Sequence, residues 1–328
     1  MHSPILAELP PPPLGKIGWP WTEDSSQLPD RMPDGRPWPK ISIVTPSYNQ
    51  GQFIEETIRS VLLQGYPNLE YLIVDGNSTD QSRDIIKKYG KYLLYWISEP
   101  DKGQADAINK GIAQITGNIF TYINSDDSLT PNALLKVASY FIDHPESSSL
   151  RGGYKEVDKA GTVIKELIYE DPISWEDMVL GKTCVHQPGG RVFLKVEFLR
   201  SVGHFQINLK YTFDLDFFIR FLMKNQMESL PAIFSCVRIH NEAKTQKLSN
   251  IFDFSKERYE VLMEYLPKIK GKRLSKAIAF RSLRLCYITS SFRYKKSKFV
   301  QRISLLMKEP ILWTSPSFLK KLFIKDKL

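Results

Sequence analysis

Along residues 40–143, short apolar runs alternate with stretches of helical period, and that alternation predicts a layered α/β unit. Ile41–Thr45 reads as a strand. Phe53, Ile54, Thr57, Ile58, Val61 and Leu62 then recur at helical spacing, with Gly65 as the stop. Tyr71–Asp75 predicts a second strand, followed by a helix from about Gln81 with Ser78 or Asp80 as its cap. Leu93–Ser98 reads as the third strand, and Ala105, Ile108, Ile112 and Ile115 form a helix face ended by Gly117. Asn118–Asn124 is the fourth, and Thr130-Pro131 opens a helix over 131–143. Strands separated by helices of this length predict a mainly parallel, doubly wound sheet, in which ligands bind beyond the carboxyl ends of the strands. Thr45–Asn49, Asp75–Asp80, Ser98–Lys102 and Ser125–Ser128 then share one rim.

Beyond residue 144 the pattern loosens. Strands are expected at Leu150–Tyr154, Thr162–Tyr169, Arg191–Leu194 and Ala232–Ile239, and helices at Ser174–Leu180, Lys195–Val202 and Asp214–Lys224. This reads as a second lobe continuing the same sheet, with helices dominant from about Phe252. Residues 1–39 hold ten of the 21 prolines, including Pro10 to Pro13, so they predict an extended arm. Its Trp19, Trp21 and Trp38 are expected to hold it against the body. The expected organisation is an arm over 1–39, a main domain over 40–250 and a helical basic region over 251–328. Within the main domain, 40–143 and 144–250 are its two halves.

Composition changes this picture at one end only. A hydrophobic content of 42% and a charged content of 25% over 328 residues are ordinary for a soluble globular protein. Cys184, Cys236 and Cys286 form no metal-type pair, and an odd, widely spaced set points to a reducing compartment. No apolar run approaches the roughly 20 residues that span a bilayer, and no signal peptide is expected. The net charge of +9 hides an asymmetry: from Lys268 to Leu328, 17 lysines and arginines face only Glu309 and Asp326. That segment carries +15 and the remainder −6. Near its end Phe318, Leu319, Leu322, Phe323 and Ile324 lie among Lys320, Lys321, Lys325 and Lys327, which suits an interfacial helix on an anionic membrane surface. The expected location is cytoplasmic, peripheral at the inner face of the plasma membrane. Basicity without ordered aromatic platforms gives no reason to expect a nucleic-acid partner.

The candidate chemistry begins at Asp126-Asp127. Adjacent ionised carboxylates repel, and at a sheet end a hard divalent ion such as Mn²⁺ or Mg²⁺ relieves them and bridges to phosphates. The plain alternative is a solvated turn. No GxGxxG or GxxxxGK[ST] follows any strand, so a dinucleotide dehydrogenase or P-loop enzyme lacks its phosphate cradle. GxSxG, HExxH and zinc-type cysteine pairs are also missing. Asp214 and Asp216 head an apolar helix, where positions two apart diverge by about 200°, so the two cannot share one task. One caps the helix, and the other, in apolar surroundings, suits a general base. His240 ends a strand and is either structural or a third metal ligand. His186-Gln187-Pro188 reads as a polar turn.

Six ordered segments together resemble the family 2 glycosyltransferases, inverting enzymes with the GT-A fold. They are Ile41–Asn49, Val74–Asp80, Glu99–Gly111, Asn124–Ser128, Phe213–Asp216 and Arg238–Thr245. The resemblance implies that Pro46, Tyr48 and Asn49 line the nucleotide pocket, with the tyrosine ring on the base, and that Asp75 contacts the nucleoside. It implies Asp126 near the ribose or metal, Asp127 on the ion, His240 as a late metal or diphosphate contact, and Asp214 as catalytic base. The implied partners are a nucleotide-sugar donor, a UDP-sugar first, and a glycan or lipid-linked acceptor for surface polysaccharide or glycolipid synthesis. Many members carry two adjacent acids after the second strand. This chain has Asp75-Gly76, which leaves the contact that reads the base unassigned. Two rival readings are a nucleotidyltransferase, for which Thr45–Asn49 is not the required glycine- and lysine-rich loop, and a non-catalytic protein binding anionic surfaces.

Overall fold

The computed structural model describes residues 3–181, 189–240, 244 and 250–271. Cys184, His186, Cys286, most of the segment following His240, and the basic region beyond 271 lie outside the described residues. The chain divides after His240 into two compact units. The second carries helix Ile251–Tyr265, and the site lies in the first.

Strand β1 (Ile41–Ser47) and strand β2 (Leu69–Asp75) are buried along their whole length, as β-branched runs covered on both faces should be. Helix α1 (Ile54–Leu62) connects them and buries Ile54, Ile58, Val61 and Leu62. Helix α2 (Ser82–Lys88) leads to β3 (Tyr95–Ser98), and α3 (Gln104–Ile112) leads to β4 (Ile119–Tyr122). β1 pairs in parallel with β2 and β4, and β2 with β3. The register aligns Ser47 with Asp75 and Asp75 with Ser98, so three strands end at one level. Pro46 interrupts no ladder toward β4, because the last paired residues there are Val44 and Tyr122.

The second half is a mixed sheet. β4 meets β8 (Val192–Lys195) antiparallel, and β8 pairs antiparallel with β6 (Ser149–Val157). β6 takes β7 (Val163–Leu167) antiparallel and the long β9 (Glu228–Arg238) in parallel. A two-residue strand unforeseen from the pattern, β5 (Ser128–Leu129), pairs with β9 at Cys236 and Ser235. It ties the turn that holds the acid pair to the second half of the sheet. The following helix, α4, runs Ala133–Asp143 with Asn132 as its left-handed cap, and not from Thr130-Pro131. Thr130 is otherwise engaged: its hydroxyl donates to Ile233 O, extending the β5–β9 contact. Helices α5 (Trp175–Val179), α6 (Val196–Val202) and α7 (Phe213–Leu222) complete the unit.

The proline-rich arm belongs to the first unit and packs on α1. Gly65 has φ +63°, and a Cβ there would meet Ser26 O at 2.4 Å, so both turn and arm require a glycine. Arg59 is fully buried on α1. It donates to the carbonyls of Pro10 (2.8 Å), Pro20 (3.0 Å) and Trp21 (3.0 Å).

Candidate active site

At the ends of β1 and β2 the expected nucleotide residues play different parts. Tyr48 is 61% exposed just past β1, leaving its ring face available for stacking. Asn49 adopts φ +53° and turns toward the loop after β2; its Oδ1 accepts the Thr79 N–H at 2.8 Å. Asp75 is fully buried, and its carboxylate accepts from Ser78 N–H, Ser78 Oγ and Ser98 Oγ at 2.9, 2.5 and 2.7 Å. A buried charge needs such donors, and here they also lock the β2 turn to the end of β3.

The two adjacent acids face different surroundings. Asp127 is 4% exposed. Its Oδ1 accepts the Arg238 backbone N–H at 3.0 Å, and its Oδ2 accepts Asn124 Nδ2 at 3.0 Å. Asn124 Oδ1 in turn accepts Gln104 Nε2 at 2.7 Å, so a polar chain links α3, the acid turn and β9. Thr57 on α1 donates to Asp127 O at 2.6 Å. Burial, and then the charge of Asp126, hold the Asp127 carboxyl well above the ordinary carboxylate range, against the pull of its two donors. Asp126 instead places Oδ2 3.1 Å from His240 Nε2. His240 is itself buried against the ring of Phe53, and among the described residues its Nδ1 has no hydrogen-bond partner and Nε2 makes its one polar contact. Sequence reasoning put the ion on Asp127, but two adjacent letters carry no orientation. The turn commits Asp127 inward and leaves Asp126 beside His240.

Arg238 is the residue that sequence reasoning quoted without a role. Its guanidinium is buried, ion-paired to Glu56 of α1 at 2.5 Å, and Nε donates to Asp126 O at 3.2 Å. Nη1 donates to the carbonyls of Asp158 and Lys159. Arg238 thus holds the acid turn between α1 and the second half of the sheet.

On α7, Asp214 and Asp216 diverge as helical geometry requires. Asp216 is buried and gripped by Arg220 of the next turn at 2.9 Å (Nε) and 2.8 Å (Nη2). Arg220 also donates to the carbonyls of Val202 and His204, fastening α7 to the loop after α6. Asp214 is half-buried, with Oδ1 accepting the Leu215 N–H at 2.8 Å. Tyr122, buried at the end of β4, lies within the fields of both Asp214 and Asp127; burial, then the Asp214 charge, raise its hydroxyl far above the usual range. The same tyrosine feels Arg191, a buried guanidinium stacked 3.9 Å from the ring of Tyr154. The charges of Asp214 and of Asp127 thus both bear on one buried side chain. Among the described residues, no group of three or more His, Cys, Asp or Glu encloses a metal site.

The model of the family described as "Glycosyl transferase family 2" matches residues 42–202. TuaG of Bacillus subtilis, named as a teichuronic acid biosynthesis glycosyltransferase, is 32% identical over 152 residues, covering 45% of this chain and 59% of that protein. The uncharacterized glycosyltransferase RT0329 of Rickettsia typhi is 26% identical over 244 residues, covering 72% and 74%. The chain thus spans less than two thirds of TuaG, and 36% of a Rickettsia felis relative. Among solved structures, S. aureus TarS 1-349 in complex with UDP-GlcNAc superposes with a TM-score of 0.58 at 18% identity, covering 82% of this chain and 80% of TarS. The mannosyltransferase PcManGT of Pyrobaculum calidifontis, in complex with GDP-Man and Mn²⁺, gives 0.52 at 16%, covering 88% and 86%. At such identities the likeness establishes the fold alone, the GT-A arrangement.

Proposed function

Because the chain belongs to glycosyl transferase family 2, we propose that it moves a sugar from a nucleotide-sugar donor to a hydroxyl acceptor with inversion at the anomeric carbon. One observation carries the reading. The acid turn presents Asp126 beside His240, while a separate carboxylate, Asp214, acts with Asp127 of that turn on the buried Tyr122 hydroxyl.

The donor set fits a hard divalent ion bound jointly with a diphosphate. Adjacent ligands of an octahedral ion with bonds of roughly 2.1 Å lie about 3 Å apart. Asp126 Oδ2 and His240 Nε2 are 3.1 Å apart. These two would hold Mn²⁺ or Mg²⁺, with diphosphate oxygens and water completing the shell. When bound, the ion offsets charge on the leaving diphosphate. Tyr48 would carry the base, and the β2 turn held by Asp75 and Asn49 would shape the floor beneath it.

Asp214 would accept the proton of the acceptor hydroxyl as that oxygen attacks the anomeric carbon. Attack comes from the face opposite the diphosphate, whose bond to the sugar breaks with the electron pair leaving on oxygen. Asp127 and Arg238 would position the turn without touching substrate. A surface glycan or glycolipid acceptor is supported by the name of TuaG, and a UDP-sugar by the UDP-GlcNAc complex of TarS. The GDP-Man complex of PcManGT keeps guanine in play. No helix among the described residues is long and apolar enough to cross a membrane, and the proposed membrane contact rests on the basic C-terminal segment.

The test is a screen of nucleotide sugars for Mn²⁺-dependent release of nucleoside diphosphate, with product configuration read by NMR. Release of one diphosphate and an inverted linkage are expected. If no nucleotide sugar binds with either Mn²⁺ or Mg²⁺, the reading falls.

A further inference from the structure

The turn after β2 has no side chain at Gly76, and a carboxylate from another loop occupies the space one would fill. A Cβ on Gly76 would lie 2.6 Å from Asp101 Oδ2 and 3.1 Å from its Cγ. Asp101 belongs to the loop between β3 and α3, so an acid from the third strand's loop is laid over the second strand's turn. Its Oδ1 accepts the Gly103 N–H at 2.8 Å, which fixes the carboxyl group. Its Oδ2 accepts from no described residue.

Neighbouring acids on this rim are spent on architecture. Both oxygens of Asp75 are taken by Ser78 and Ser98, and those of Asp80 by the backbone N–H groups of Gly51 and Ser82. Glu99 is paired with Lys110 at 2.7 Å. Asp101 keeps one oxygen uncommitted in a site where burial raises its carboxyl above the ordinary range, countered by the Gly103 N–H and by Lys110. A half-buried acceptor with no donor gains most from a ligand N–H.

The position of this oxygen indicates which ligand group reaches it. Tyr48 follows β1, Gly76 follows β2 and Asp101 follows β3, and adjacent strands lie about 4.8 Å apart. A flat ring resting on the exposed face of Tyr48 would bring its edge toward Asp101, whose carboxyl covers the buried Gly76. A side chain at position 76 would displace that carboxyl.

We propose that Asp101 reads the donor's base: Oδ2 accepts the ring imino N–H of uracil, thymine or guanine. Cytosine and adenine present a ring-nitrogen lone pair at the corresponding edge, which a carboxylate repels. The inference deepens the proposed function and rests on it.

The test is calorimetric titration of the full chain, with Mn²⁺ present, by UDP, GDP, CDP and ADP in turn. The wild type is expected to bind UDP or GDP tighter than CDP and ADP by about tenfold or more, the range of a hydrogen bond to a charged group. Asp101→Asn keeps the shape and the Gly103 contact but offers an amide N–H, so the preference should collapse or turn toward CDP. Gly76→Asp should weaken binding, because its side chain meets Asp101. If the wild type prefers UDP or GDP and Asp101→Asn keeps that ranking, the assignment of Asp101 is wrong while the donor reading stands. If the folded wild type binds none of the four, both fall.

Discussion

Asp126 and His240, 114 positions apart, meet at 3.1 Å through Oδ2 and Nε2, while Asp127 next door gives both carboxylate oxygens to protein donors. Two equivalent letters thus have opposite work, and mutation should separate them. Asp126→Ala and His240→Ala should each lower Mn²⁺-dependent turnover on the order of a hundredfold or more and leave thermal unfolding little changed. Asp127→Ala should strand the Arg238 N–H and the Asn124 amide, costing roughly 2–5 kcal/mol of stability. Melting curves and Mn²⁺ titrations on the three variants check this. Equal melting temperatures for Asp126→Ala and Asp127→Ala would contradict it.

A second crossing is expected on α7. Asp214→Asn should cut kcat by a factor on the order of a thousand with the fold intact, since an amide cannot take a proton. Asp216→Asn should weaken the Arg220 fork that ties α7 to the loop after α6, costing about 1–3 kcal/mol with a much smaller loss of turnover. Single-turnover rates set beside unfolding curves distinguish the two. An active Asp214→Asn enzyme would remove it as the base.

These pairs show where sequence reading succeeds and where it stops. The first half of the sheet was legible because β1 to β4 are local apolar runs, and parallel pairing follows from their alternation with helices. The two-residue β5 was not, because it exists only through β9, more than a hundred residues away. The place of the acid turn at a strand end was legible too. Which acid faces outward depends on Arg238 and Asn124, and no spacing rule contains that contact. Arg59 is a charged residue on α1 that no sequence motif singles out. The proline-rich arm buries it.

That arm gives a third prediction. Arg59 has no exposed surface, and its guanidinium fork is matched to three arm carbonyls and to Tyr89 Oη at 3.1 Å. Lysine keeps the charge but lacks the fork. Arg59→Lys should therefore destabilise by roughly 3 kcal/mol, lowering Tm by roughly 6–12 °C in a domain of this size. Scanning calorimetry reads it, and a shift under about 2 °C would mean the arm is not clamped there.

Cys236 offers a chemical probe of the β5–β9 junction, the element least visible from sequence. It lies on β9 opposite Ser128, and burial pushes its thiol up to about 11. A group with a raised pKa is protonated below that value, so at pH 8 only about one thiol in a thousand is the reactive thiolate. Native protein should leave the Cys236 peptide unmodified by iodoacetamide at pH 8, while urea-unfolded protein is alkylated within minutes, as mass spectrometry of the digest would record. Labelling should rise in Asp127→Ala if the acid turn holds β5 against β9, because Asp127 leads directly into β5 and bonds the last residue of β9. Protection unchanged in that variant would show that the two short strands stay paired without the carboxylate, and that Asp127 has a local role only.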